Sequence, residues 1–108
     1  MKINDAVKIS HKLAKEKGFW EKERNFAEMI ALCHSELSEA LEEKRLGFDV
    51  DYDYYDENGK PCGIPYELAD CIIRIFDVCG YYEIDLEDII LDKINYNSQR
   101  DHKHGKEF

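Results

Sequence analysis

At 108 residues, 44% of them hydrophobic, the chain is long enough to bury one core and too apolar for disorder. Its formal net charge of −9 excludes non-specific attachment to duplex nucleic acid or to an anionic membrane surface, because both would repel it. No apolar run approaches the ~20 residues of a membrane span, and the opening "MKINDAVKISHKLAKEKGFW" lacks the apolar centre of a signal peptide, so a single cytosolic domain over residues 1–108 is expected.

Four helices are legible. The first covers residues 4–17, with Asn4 as its N-cap, Gly18 as its stop and a modest stripe of Val7, Leu13 and Ala14. The second covers residues 23–46, where Phe26, Ile30, Cys33, Leu37, Ala40 and Leu41 recur at helical spacing. From Gly47 to Pro65 the chain is rich in Asp and turn formers and reads as a loop. Asp49, Asp51 and Asp53 imitate the start of a calcium loop. However, Tyr54 stands where that loop needs glycine and Lys60 where it needs glutamate. The third helix starts at Pro65 or Tyr66, runs to about Tyr82, and presents Leu68, Ala69, Ile72, Ile73, Ile75, Phe76 and Cys79 as its core face. The fourth covers residues 86–100, capped by Asp85, with Glu87 and Asp88 where the helix dipole favours acids. No strand pattern stands out. The expectation is all-α and four-helix bundle-like, with helices two, three and four around one core. Cys33, Cys62, Cys71 and Cys79 form no CxxC pair and read most simply as small buried hydrophobes in a reducing compartment.

The chemistry-bearing residues are acidic pairs. Helix two carries "ELSE", with Glu36 and Glu39 one turn apart, and helix three carries "ELAD", with Glu67 and Asp70 one turn apart. Each pair shares a helix face and repels itself, and a hard divalent cation relieves that repulsion through carboxylate oxygens. Either pair alone is equally a solvated face. On helix three, Glu67, Asp70, Arg74 and Asp77 form a narrow polar stripe opposite the expected core face, bordered by Cys71 and Val78. Apolar borders suggest a second packing surface, in another subunit or helix pair.

On helix four, Lys93, Asn97 and Arg100 follow each other along one face that begins with Leu86, Ile89 and Ile90. From Lys93 to Lys106 the local charge is +3, leaving −12 on the remainder. Two readings fit equally well: an anion site, or cations that complement the helix C-terminus. Trp20 either stacks on a nucleobase or plugs the end of the bundle. His11 and His34 lie in no ExxH or HExxH pattern, and no GxSxG, Walker or GxGxxG motif occurs.

Taken together, "GFWEKERNFAEMIALCHSELSEALEEKR", "KPCGIPYELADCIIRIFDVCG" and "DKINYNSQRDHKHGKEF" resemble the MazG-like nucleotide pyrophosphohydrolases of the all-α NTP pyrophosphatase superfamily, over residues 18–108. The joint pattern is ExxE, a loop, then ExxD, with 27 residues between Glu39 and Glu67. Cys62 departs from it, standing after Lys60-Pro61 where a glutamate is expected.

The resemblance implies hydrolysis of a nucleoside triphosphate to the monophosphate and pyrophosphate. It implies Mg2+, or Mn2+, held by Glu36, Glu39, Glu67 and Asp70. A spare carboxylate of this set would orient or deprotonate the attacking water, with Glu39 the first candidate and the other acids open. Lys93 and Asn97 would contact the phosphates, joined by Arg100, His104 and Lys106, with Trp20 near the base, in a homodimer or homotetramer. The competing expectations are a non-catalytic nucleotide binder or sensor on the same fold, and a helical interaction module.

Overall fold

The computed structural model describes the backbone of all 108 residues and every side chain except that of His104. Helix α1 spans Ile3–Glu16, α2 Phe26–Arg45, α3 Ile64–Tyr81 and α4 Leu86–Ser98, and a 3-10 turn over His102–Gly105 follows. The helices fall close to their expected bounds. The link between α2 and α3 differs from expectation: it holds an antiparallel hairpin, β1 Asp53–Tyr55 and β2 Pro61–Gly63, in the register Asp53↔Gly63, Tyr54↔Cys62 and Tyr55↔Pro61.

Turn chemistry makes that hairpin. The Asp56 carboxylate accepts from the backbone N–H of Asn58 at 2.8 Å and of Lys60 at 2.9 Å, and Gly59 takes a φ of +78°. Phe48, Tyr52 and Tyr54 stack on one another with ring centroids 5.6–6.1 Å apart. Strands of three residues are too short to display an alternating pattern in sequence.

Asn4 is not the N-cap of α1; Lys2 occupies that position. Asn4 instead ties α1 to the start of α4. Its Nδ2 donates to Asp85 Oδ1 at 2.9 Å and its Oδ1 accepts from the Glu87 N–H at 3.2 Å. Asp85 caps α4 as expected, accepting from the Asp88 N–H at 3.1 Å.

The three-layer core is α2 on α3 and α3 on α1. Among the described residues its buried apolar side chains are Val7, Met29, Cys33, Ala40, Ile64, Cys71, Val78 and Cys79. This corrects the expected core of helices two, three and four. Helix α4 packs on α1, and none of its described residues is buried. It also corrects the expected face of α3 in part: Cys79 is buried and Ala69 and Phe76 are half-buried. Along the polar stripe Cys71, Asp77 and Val78 are buried, Glu67 and Arg74 half-buried and Asp70 exposed, whereas Leu68, Ile72, Ile73 and Ile75 stand exposed. On α2, likewise, Met29, Cys33, Glu36 and Ala40 are inside, while Phe26, Leu37 and Leu41 are outside.

Cysteines read as small hydrophobes prove to be so. Cys33, Cys71 and Cys79 are buried, Cys62 is half-buried, and all four thiols are unpaired.

The single chain exposes 8593 Å2. A compact monomer of 12.7 kDa exposes roughly 6,200 Å2. Its radius of gyration of 16.4 Å likewise exceeds the roughly 13 Å of a compact chain of this length. Exposed large apolar side chains on all four helices contribute to the excess, among them Ile9, Leu37, Ile72 and Ile94. No helix is long and apolar enough to cross a membrane.

Helix α1 approaches α3 most closely at Gly80. A Cβ there would lie 2.5 Å from His11 Cβ and 3.3 Å from the Val7 carbonyl oxygen. Gly80→Ala is therefore expected to cost about 1–3 kcal/mol through overpacking, despite alanine's better helix propensity. A thermal melt checks this, and a variant as stable as the parent would contradict the close α1–α3 contact.

Candidate functional site

The seam between α2 and α3 carries the site. Its position depends on how β2 enters α3. Gly63 has a φ of +117°, and a Cβ on it would lie 2.5 Å from the Tyr52 carbonyl oxygen, so only glycine fits. The chain passes directly from β2 into α3, which sets Glu67 in the first turn, where the helix dipole favours an acid.

Across the seam, one carboxylate oxygen each of Glu36, Glu67 and Asp70 lie within 4.8 Å of one another. Glu36 is 7% exposed, Glu67 half-buried and Asp70 exposed. Glu39 is exposed at the rim, close enough to exchange hydrogen bonds with Glu36 and Glu67. The four expected acids thus come together, three of them tightly.

Crowding like charges has a visible electrostatic result. Burial, followed by hydrogen bonds with Glu39 and Glu36, pushes the Glu67 carboxyl up to about 8, so it holds a proton at neutral pH. Burial and the Glu36 charge raise Asp70. Burial would raise Glu36 as well, but the Arg74 guanidinium and the hydrogen bond from the protonated Glu67 outweigh it and hold Glu36 below the usual carboxylate range. Arg74 Nε donates to Glu36 Oε1 at 2.8 Å.

Three convergent hard oxygens, with a fourth at the rim, suit magnesium or manganese. The proton on Glu67 relieves the repulsion that such a cation would relieve. The donor set therefore fits the metal that the resemblance implies.

Beside the seam lies a groove of about 640 Å3, lined by Ile9, Leu13, Ile73 and Phe76 together with Glu36, Asp70 and Arg74. The residues expected to hold phosphate lie elsewhere in the single chain. Lys93 Nζ, on α4, sits 4.9 Å and Arg100 Cζ, just past its end, 5.5 Å from the centroid of the Tyr96 ring, and α4 packs on α1. Asn97 Oδ1 is buried without a partner among the described residues. Lys106 is exposed beyond the 3-10 turn, and the His104 side chain lies outside the described residues.

Trp20 is built into the end of the helix layers. Its Nε1 donates to Asp77 Oδ1 at 2.9 Å, its ring stacks on Tyr81 at 4.1 Å, and Arg24 Cζ lies 4.8 Å from its centroid. Asp77 also accepts from Arg24 Nη1 at 3.1 Å and from His11 Nδ1 at 2.8 Å. This buried network joins α1, α3 and the link before α2.

Reading the sequence missed two neighbours of the acids as site residues. Arg74 lies one turn beyond Asp70, a spacing that could have flagged it. Lys60, on the hairpin, lies close enough to lower Asp70, and no local spacing marks it. Glu43, two turns beyond Glu36, carries a buried Oε2 with no partner among the described residues.

No known protein-family model, no curated protein and no solved structure matches this chain.

Glu67 links the site to pH. Its folded value of about 8 lies above the ordinary 4.5, so its proton stabilises the fold fully below pH 4.5, and that contribution is lost as pH rises through 8. Asp70, also raised, acts in the same direction. Glu36, held low, acts oppositely but only in more acid solution. With chelator present, the melting temperature is expected to fall between pH 5 and pH 8.5, and less steeply in Glu67→Gln. Saturating Mg2+ should flatten the slope and release a proton at pH 7, read by calorimetry in two buffers of different ionisation enthalpy. An identical slope with and without Mg2+ would contradict the assignment.

Proposed function

We propose that the chain is a magnesium-dependent nucleoside triphosphate pyrophosphohydrolase of the MazG-like kind, taking NTP and water to NMP and pyrophosphate. The observation that carries this reading is the convergence of Glu36, Glu67 and Asp70 within 4.8 Å, beside a groove of about 640 Å3. The ExxE–ExxD pattern supports it from the sequence.

Glu36, Glu67 and Asp70 would hold the cation, with Glu39 beside them. When bound, the cation would neutralise charge on the phosphate oxygens. Glu67 would give up its proton on metal binding, and Asp70 would become fully ionised. Glu39, exposed at the rim, would orient the attacking water and take its proton. The apolar groove walls would receive the nucleoside and exclude water from it.

We also propose that copies associate. One chain exposes roughly 2,400 Å2 more than a compact monomer of its mass, which is what a subunit of an obligate dimer or tetramer covers. Across such an interface, Lys93, Asn97 and Arg100 of one copy would reach the phosphates at the carboxylates of another. A monomer mass by light scattering would contradict this. Four free thiols suit the reducing cytosol.

Pyrophosphate release from a panel of dNTPs and NTPs, with Mg2+ and with chelator, tests the reaction. Metal-dependent release from at least one nucleotide is expected. Glu39→Gln should lose about 10²-fold or more of it, the scale of a general base, while melting as the parent does. Wild-type turnover in that variant, or no release from any nucleotide, would contradict the reading.

A further inference from the structure

Arg74 is anchored at one edge and open at the other. Its Nε donates to Glu36 Oε1 at 2.8 Å, and Glu36 is itself buried, so the anchor cannot move outward with the arginine. The Arg74 side chain is 32% exposed and lines the groove beside Asp70. The bond through Nε is its one hydrogen bond among the described residues, which leaves Nη1 and Nη2 without a protein partner.

A guanidinium bonded only through Nε keeps donors for a planar, two-point grip on an oxyanion. The bond to Glu36 also limits the rotamer freedom that a solvated arginine would lose on binding. Arg74 is therefore positioned for an anion before one arrives. Its surroundings restrict what that anion can be. With Glu36, Asp70 and Glu39 close by, a bare anion is repelled. An oxyanion that brings a divalent cation is not, because the cation takes the carboxylates and the anion takes the arginine.

We infer that Arg74 binds a phosphate of a metal-complexed polyphosphate in the groove, from the same chain as the carboxylates. This rests on the pyrophosphohydrolase reading and adds to it an anion-binding residue independent of the α4 cations. It also gives Glu36 two tasks, holding Arg74 and belonging to the carboxylate cluster that would take the metal.

The test is calorimetry on the full chain, first with Mg2+ alone and then with pyrophosphate at saturating Mg2+, for the parent, Arg74→Lys and Arg74→Gln. Lysine keeps the charge and its pairing with Glu36 but has no fork. Arg74→Lys is expected to melt near the parent and bind Mg2+ alike, yet bind magnesium pyrophosphate about tenfold more weakly, equal to about 1.4 kcal/mol. Arg74→Gln, which lacks the charge, is expected to bind it more weakly again.

Undiminished pyrophosphate binding in Arg74→Lys overturns the inference. So does an equal loss of Mg2+ and pyrophosphate affinity, which would leave Arg74 only a support for Glu36. A parent that binds magnesium pyrophosphate through Arg74 but hydrolyses no nucleotide sinks the hydrolase reading and leaves the arginine site standing. A parent that hydrolyses a nucleotide with unchanged KM in Arg74→Lys does the reverse. A parent that binds neither Mg2+ nor pyrophosphate overturns both.

Discussion

Glu36 sits inside the seam where α2 meets α3, and a carboxylate buried there without a partner would cost several kcal/mol. Arg74 meets that demand at 2.8 Å. The neighbouring acids then have to settle their own charges: Glu67 keeps a proton to about 8, and Asp70 stays at the exposed end. An ordinary helix seam would be filled with leucine. This one carries carboxyl groups at the positions that bring two helices together, so the local stability of the fold is linked to the charge state of the site. A cation that binds the seam changes both.

The supporting structure follows from holding that seam in place. Gly63 turns the hairpin into α3 at an angle no side-chain-bearing residue could take, which places Glu67 against α2. At the far end of α3, Asp77 gathers His11, Arg24 and Trp20, and Gly80 lets α1 close down. The two ends of α3 are thus fixed by separate devices, with the acids near one and the aromatic network at the other.

Helix positions were legible because caps, breakers and helical spacing are local signals. The pairing of ExxE with ExxD was legible because each pair needs only its own helix to share a face. Which face turned inward was not. Leu68, Ile72 and Ile75 form the more apolar side of α3, and hydrophobicity alone assigns them to the core. In the single chain they stand outside, while the charged stripe packs partly within, because Arg74 and Glu36 neutralise each other across the seam and hydropathy does not register a pair separated by 38 residues. The same limit hid Lys60, whose relation to Asp70 depends on a hairpin built by Asp56. The expected place of α4 in the core failed for a related reason. Asn4 fastens the start of α4 to α1, a contact across 81 residues that no window reveals. Trp20 had two readings in sequence, and the hydrogen bond to Asp77 gives it a structural part.

The central claim is that the α2–α3 seam holds a divalent cation. Titration of the 15N-labelled chain with Mn2+, followed by paramagnetic broadening of backbone amides, tests it most directly. Broadening should begin around residues 36–39 and 67–70, saturate at one site, be competed by Mg2+, and be lost in a Glu36→Gln, Asp70→Asn double variant. Broadening confined to the Asp49–Asp53 stretch, or none at the seam, would contradict it.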